Sequence, residues 1–428
     1  MQRYEKYKES GVDWIGEIPK EWEIVRFKRL FKEKKKTTNA SLNSGSISFG
    51  EVVYKDDEKI TEATKLSYQV LNEGEFLLNP LNMNYDLKSL RIGLSAINVV
   101  VSSGYIILQS KKGLNKNYYR WLLRIYDIIY MKTLGAGVRQ TINYNDLADS
   151  YLVVPSFDEQ QTIATFLDDK TTKIDQTIAN KQKEIELLKE RRQILIQKAV
   201  TKGLDDTVPL KDSGVDWIGE IPEHWEVRKL KAFCKAFGRI GFRGYTTADL
   251  VDEGEGAITI SPSNIKENEM VFDKNSFLSW HKYDESPEIK IRENDILIVK
   301  TGSTYGKIGI VKKMPQKATI NPQLLVLKDI KINPDYLYEL LKSEMFQIQV
   351  EKNVIGSTIP TISETKILGF SVPMPKGEKE FNTISDYIYE INEKLFALIK
   401  LKQQEIEKLK EYKTVLIDNV VTGKVRVS

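Results

Sequence analysis

Over two long stretches of the chain, apolar residues recur at gaps of three, four or their sums. The first runs Ile163, Leu167, Ile174, Ile178, Ile185, Leu188, Leu195, Ala199. The second runs Ile384, Ile388, Leu395, Ile399, Ile406, Leu409, Leu416, Val420. That spacing keeps one apolar seam along a helix and predicts two rods, over about 158–201 and 380–421. Neither Gly nor Pro occurs between Ser156 and Lys202, and Gly203 and Pro209 follow as stop signals. Lys181 and Arg192 interrupt the first seam, where their stems can cover apolar surface while the charge reaches water. A rod of about 42 residues is roughly 63 Å long. A lone helix that long would expose its seam, so the two rods are expected to pair with each other through Ile174, Ile178, Ile185, Leu188 and Leu195 on one and Leu395, Ile399, Ile406, Leu409 and Leu416 on the other.

Outside the rods the pattern changes to short apolar runs between turn residues. Residues 74–78, 98–101 and 105–108 predict strands in the first part, with an amphipathic helix over Asn117–Leu134 that buries Trp121, Leu122, Ile125, Ile128 and Ile129. In the second part, 295–300 and 308–311 predict strands around the turn Thr301–Lys307, and a helix is expected over Pro334–Glu351. The expected segments are 1–157 (mixed), 158–203 (rod), 204–377 (mixed) and 378–428 (rod and tail).

The order of these segments is a duplication. Ser10–Pro19 recurs letter for letter as Ser213–Pro222, 203 residues later. Glu184-Ile185-Glu186, Leu188-Lys189-Glu190 and Val200-Thr201 return 221 residues on, as Glu405-Ile406-Glu407, Leu409-Lys410-Glu411 and Val421-Thr422. Between the copies, residues 23–155 and 226–373 share almost nothing. Two variable blocks thus sit in one repeated frame, which predicts one job done twice on two targets. The repeated Trp-Ile-Gly-Glu-Ile-Pro string is expected to dock each block onto the rods. The fold class is α+β: two mixed α/β domains separated by two long antiparallel coiled-coil helices, a pseudo-two-fold dumbbell.

Composition narrows the chemistry. The 428 residues carry 64 basic and 60 acidic side chains, a net charge of +4. With one cysteine, Cys234, and two histidines, His224 and His281, neither an internal disulfide nor a thiolate zinc cluster is expected. No apolar signal core or membrane-length apolar run is present, so a cytoplasmic location is expected. The string 302–307 (Gly-Ser-Thr-Tyr-Gly-Lys) is one residue short of a phosphate-binding loop and leads into a strand. Asn79-Pro80-Leu81-Asn82 lacks the second proline and the aromatic of an aminomethyltransferase loop. No catalytic residue and no metal site is expected in this chain.

Basic residues cluster at matching places in the two blocks. Lys28, Arg29, Lys32, Lys34, Lys35 and Lys36 lie early in the first, and Arg239, Arg243 and Tyr245 lie in a Gly-rich stretch of the second. Such positions suit phosphate or guanine contacts. Together with Gly-Val-Asp-Trp-Ile-Gly-Glu-Ile-Pro and its following Trp22 or Trp225, the stretch 155–163 that opens the first rod, and the stretches 135–142 and 356–362, these features give the chain a family likeness. It resembles the specificity subunit of type I restriction–modification enzymes along its whole length. It departs at Glu380-Phe381-Asn382, where the family usually has Glu-Gln.

The resemblance implies that each block is a target-recognition domain reading one half of a bipartite, asymmetric DNA site, while the paired rods set the unread spacer. It further implies two modification (methyltransferase) subunits docked on the rods and restriction/translocase subunits in the full complex. S-adenosylmethionine, ATP and magnesium are then expected on those partners and no cofactor in this chain. Candidate DNA contacts are Lys34, Lys35, Lys36, Asn82, Tyr85, Lys88, Arg91 and Arg139 in the first block. In the second they are Arg239, Arg243, Tyr245, Lys300, Ser303, Tyr305 and Lys307, with the Thr301–Lys307 hairpin foremost. Two alternatives are a coiled-coil adaptor binding two protein partners and an enzyme with diverged halves.

Overall fold

The structure, a computed structural model, describes residues 2–81, 90–134, 141–266, 269–356 and 358–427. The two rods form as helices Phe157–Lys202 and Glu378–Val421. The chain packs as two compact units, Met1–Lys183 with Lys402–Ser428, and Glu184–Leu401. Each unit therefore combines one mixed block with a stretch of both long helices.

Within the first unit the helices run antiparallel: Lys181 Nζ bonds Glu405 Oε2 at 2.6 Å, and further along Lys413 Nζ bonds Asp175 Oδ2 at 2.6 Å. In the second unit Arg192 Nε donates to Asn392 Oδ1 at 2.7 Å. Ile174, Ile185, Ile406 and Leu416 of the seam are buried, and Ile178, Leu188, Leu195, Leu395, Ile399 and Leu409 are half-buried. The two cations that interrupt the first seam thus hold polar partners on the facing helix while the apolar residues around them lose water.

The units share a scaffold that their sequences hide. In the first, a four-stranded antiparallel sheet has the order Phe31–Glu33, Ile106–Ser110, Phe76–Leu78, Ile92–Leu94. In the second, the order is Lys235–Gly238, Leu324–Lys328, Ile296–Val299, Ile308–Ile310. A two-stranded ribbon pairs Glu23–Arg26 with Tyr151–Val154, and its counterpart pairs Glu226–Lys229 with Ser371–Met374. The repeated motif makes the same small hairpin twice, Tyr7–Glu9 with Glu17–Pro19 and Leu210–Asp212 with Glu220–Pro222. Packing constrains volume and alternation of apolar positions more than residue identity, so unlike sequences can fill one scaffold.

The repeated tryptophans fix each block to the first turn of a long helix. Trp22 Nε1 donates to Glu159 Oε2 at 2.8 Å, and Trp225 Nε1 donates to Glu380 Oε1 at 2.8 Å. The other long helix is tied at its last turn: Tyr118 Oη donates to the Val421 carbonyl at 2.9 Å, and Tyr336 Oη to that of Val200 at 3.3 Å. Just past the second helix, Gly423 has φ +79°, and a Cβ there would lie 2.4 Å from Pro19 Cδ and 3.0 Å from Trp22. At the departure from the family pattern, Gln160 is buried and accepts from the Asn115 amide at 3.0 Å. Its counterpart Phe381 instead sets its ring edge-on to Tyr336 at 5.2 Å.

Two helix expectations change. The helix Lys116–Ile129 buries Tyr118, Tyr119, Trp121, Leu122, Leu123, Ile125, Tyr126 and Asp127, but leaves Ile129 42% exposed in its last turn. The helix expected over Pro334–Glu351 is two helices, Pro334–Lys342 and Glu344–Asn353, broken at Ser343, whose backbone is extended and whose hydroxyl donates to the Leu340 carbonyl at 2.6 Å. Asn115 and Asn333 cap the equivalent helices by accepting from Asn117 and Tyr118, and from Asp335 and Tyr336.

Candidate nucleic-acid interface

The last two strands of each sheet are joined by a loop held in the same way in both units. In the first, the Asn79 amide donates to the Arg91 carbonyl at 2.9 Å, and Ile142 donates to Pro80 O at 3.1 Å. In the second, Val299 donates to Lys307 O at 2.9 Å, and Ile362 donates to Lys300 O at 2.9 Å. The two pairs of bonds make Arg91 and Lys307 equivalent, each the last residue of its loop. In each unit a later stretch of the chain, carrying Ile142 or Ile362, is thereby bonded to the start of this loop.

In the second unit the loop is compact. Gly302 donates to Pro360 O at 2.9 Å, and the Thr301 and Thr361 hydroxyls meet at 2.8 Å. Gly306 has φ +79° and sits where a Cβ would lie 2.8 Å from Gln347 Oε1 and 3.1 Å from Val350 Cγ1, so the backbone can press onto the helix Glu344–Asn353. Gln347 Nε2 donates to the Gly306 carbonyl at 3.1 Å. Ser303 and Thr304 are exposed at the tip, while Tyr305 is half-buried against the unit's core. A cleft of about 490 Å³ opens beside the loop, lined among others by Gln193, Thr304, Tyr305, Lys307, Lys342 and Gln347. Of these, Lys342 is held by Nζ to Glu339 Oε2 at 3.0 Å, and Glu339 Oε1 in turn pairs with Arg192 Nη2 at 3.2 Å. Burial lowers the Lys342 pKa against the opposing pull of Glu339, so two cations share one enclosed carboxylate.

The first unit builds the equivalent place from different residues. Arg124 lies six residues after Tyr118, as Lys342 lies six after Tyr336. Burial lowers the Arg124 pKa, and Asp175, bonded to Lys413, opposes the shift. Asp127 takes the place of Gln347: the backbone amide of Arg91 donates to its carboxylate. Burial raises the Asp127 pKa to about 6, with the Arg91 and Ile92 amides pulling the other way.

The sequence-derived DNA contacts meet different fates. Lys35 and Lys36 are exposed, with Lys36 Nζ donating to the Ser67 carbonyl at 2.7 Å. Lys34 is corrected: its ammonium bonds Glu75 Oε2 at 2.7 Å and Val70 O at 2.9 Å, and both side chains are only 10% exposed. Arg239 is corrected too. It is buried, donating to Ile320 O at 3.1 Å, Arg243 O at 3.3 Å and Thr319 Oγ1 at 3.0 Å, with Tyr245 stacked 5.2 Å from its guanidinium. Three of its five N–H donors are bonded inside the fold, so the buried guanidinium braces the Gly-rich stretch. Arg243 pairs with Glu288 at 3.2 Å and Lys300 with Glu364 at 3.2 Å. Arg91 Nη1 donates to Leu81 O at 2.9 Å. Ser303, Tyr305 and Lys307 come together on the loop just described, which is a braced turn rather than a free hairpin. Asn82, Tyr85, Lys88 and Arg139 lie outside the described residues.

Sequence reasoning missed Gln193, Lys342 and Gln347, which lie on helices distant in sequence from the loop. It also missed a second cavity of about 370 Å³ lined by Arg26, Lys28, Arg29 and Tyr151, where Asp149 pairs with Arg26 at 3.3 Å and Lys28 at 2.6 Å. Among the described residues no helix is long and apolar enough to cross a membrane.

The model of the type I restriction modification DNA specificity domain matches residues 19–187 and 222–411. The chain belongs to that family. Both recognition blocks fall inside the matched ranges, each with most of one long helix. Among its relatives, the type I restriction enzyme MjaVIII specificity subunit of Methanocaldococcus jannaschii is 25% identical over 423 residues, 96% of this chain and 94% of that one. The EcoBI specificity subunit of Escherichia coli is 25% identical over 292 residues, 65% of this chain and 59% of that one. The fold is similar to a chain of a type I R-M system solved for its complex assembly and conformational transition, with TM-score 0.67, 12% identity, and coverage of 95% of this chain and 99% of that one. It is also similar to the HsdS subunit from Thermoanaerobacter tengcongensis, with TM-score 0.53, 14% identity, and coverage of 95% and 98%. The chain is accordingly a DNA specificity subunit with two target-recognition domains, and the two-partner adaptor alternative is not favoured.

Proposed function

We propose that the two recognition domains each read one half of a bipartite, asymmetric DNA site, and that the paired long helices set the spacer and dock two modification subunits. The observation that carries this is the shared scaffold with unlike loops. Two sheets of one topology hold loops on the same backbone bonds, yet the loops differ in length and residue type. One framework with two different tips suits two different half-sites.

In this proposal the chain contributes recognition and no catalytic group. Modification subunits bring S-adenosylmethionine, and restriction/translocase subunits bring ATP and magnesium, in the cytoplasm. Leu187, Ile194, Phe396 and Leu401 are 54%, 59%, 64% and 50% exposed on the long helices and offer apolar contacts for docking.

The test is to exchange residues 204–377 for the second block of a relative and map methylated sites in cells that also carry the modification subunits. One half-site should change while the other half and the spacing stay. A change in both halves, or in neither, would sink the proposal.

A further inference from the structure

We infer that Lys307, which stands at the place of Arg91 in the first domain, grips the DNA backbone, and that base reading in the second domain is done by the exposed tip Ser303–Thr304. This rests on the proposed reading of two different half-sites. The two blocks share almost no sequence, yet the last residue of each loop is a cation held by an equivalent pair of backbone bonds. A residue type common to two readers of unlike sequences cannot be what tells those sequences apart. It serves what both need, which is neutralisation of phosphate.

The surroundings of Lys307 fit that role. Among the described residues its ammonium group has no hydrogen-bond or ion-pair partner, whereas Lys300, three residues from the tip on the other side, is spent on Glu364. Lys307 is half-buried on the wall of the 490 Å³ cleft, beside Gln193, Tyr305, Lys342 and Gln347. The carboxylate nearest Lys342 in bonding terms, Glu339, is shared between Lys342 and Arg192. Lys307 and Arg91 are both cations, and either meets phosphate through its charge whatever base lies beside it. Ser303 and Thr304 present short hydroxyls that donate or accept at the exposed end of the loop, with Thr304 also lining the cleft.

The test uses the full-length chain with two duplexes of equal length, one carrying its mapped methylation site and one of random sequence. Binding is measured across a sodium chloride series. Lys307→Gln should weaken both duplexes by the same factor, about eightfold at 0.1 M salt for one phosphate, and reduce the slope of log affinity against log salt by about one. Lys307→Arg should restore both. Ser303→Ala combined with Thr304→Ala should keep the slope and lose preference among duplexes randomised at one half-site. Among the described residues the ammonium has no bonding partner, so Lys307→Gln should melt like the parent. An unchanged slope for Lys307→Gln, or a loss confined to the mapped site, overturns the backbone role. Retained half-site preference in the Ser303/Thr304 double variant overturns the tip as reader. A parent chain that binds neither duplex would instead count against DNA reading itself.

Discussion

At the scale of single residues, the two domains solve one problem with opposite chemistry. Gln347 holds its loop by donating an amide hydrogen to Gly306 O, whereas Asp127 holds the other loop by accepting the Arg91 amide. The Asp127 solution carries a cost. Its carboxylate is fully buried and Oδ1 has no partner among the described residues. Burial raises its pKa to about 6, so the folded state binds this proton more tightly than the unfolded chain. The stability it contributes is full below the ordinary aspartate pKa and is lost as pH rises through about 6. Above that pH the buried charge costs about 3 kcal/mol, from roughly two units at about 1.4 kcal/mol each. Asp127→Asn keeps an acceptor for the Arg91 amide while removing the charge. It should stabilise the protein at pH 8 by about 1–2 kcal/mol, the rest being lost to the unpartnered amide donor. The gain should vanish by pH 4. Denaturant unfolding at both values checks this, and an equal effect at the two pH values would contradict the assignment.

At the scale of elements, the long helices separate what faces the partner helix from what faces out. Ile406 is 5% exposed on the seam, while Leu187 is 54% exposed. Ile406→Ala should cost about 2–5 kcal/mol through lost burial and the cavity left behind. Leu187→Ala should stay within about 0.5 kcal/mol in the isolated chain and show its effect only when modification subunits are present. Chemical melts of both variants, alone and in complex, measure the difference. Equal losses for the two in the isolated chain would show that the helices do not pair through this seam. The seam was legible in the sequence because a spacing of three and four residues has one geometric meaning on a helix. The braced loops were not, because their bonds join Pro80 to Ile142 and Lys300 to Ile362 across more than sixty residues with no shared motif.

At the scale of the whole molecule, the proposed ruler sets a length against the DNA rise. Contacts at Lys181–Glu405 and Arg192–Asn392 fix the antiparallel register within each unit, so an insertion in one helix must be matched in the other. Four residues added after Glu190 and after Lys394 lengthen the pair by about 6 Å. Against a rise of about 3.4 Å per base pair, the spacer should grow by one or two base pairs with both half-sites unchanged. Methylation mapping of the insertion variant reads this directly. An altered half-site with unaltered spacing would contradict the ruler.

The sequence by itself determined the duplication, the two long helices and the family, because exact repeats and helical periodicity survive without any knowledge of contacts. It marked the repeated Trp-Ile-Gly-Glu-Ile-Pro string as the docking segment, whereas the tryptophan bonds to the long helices come from the residues that follow it, Trp22 to Glu159 and Trp225 to Glu380. Tertiary structure alone decided that the two unlike blocks are one scaffold. It decided which cations are free: Lys34 and Arg239, prominent in the sequence, are bound inside the fold, while Lys307 lines an open cleft. The physical reason is that a basic residue's role depends on whether a carboxylate or carbonyl lies within bonding distance. Those partners come from segments dozens of residues away, placed only when the sheets and helices close.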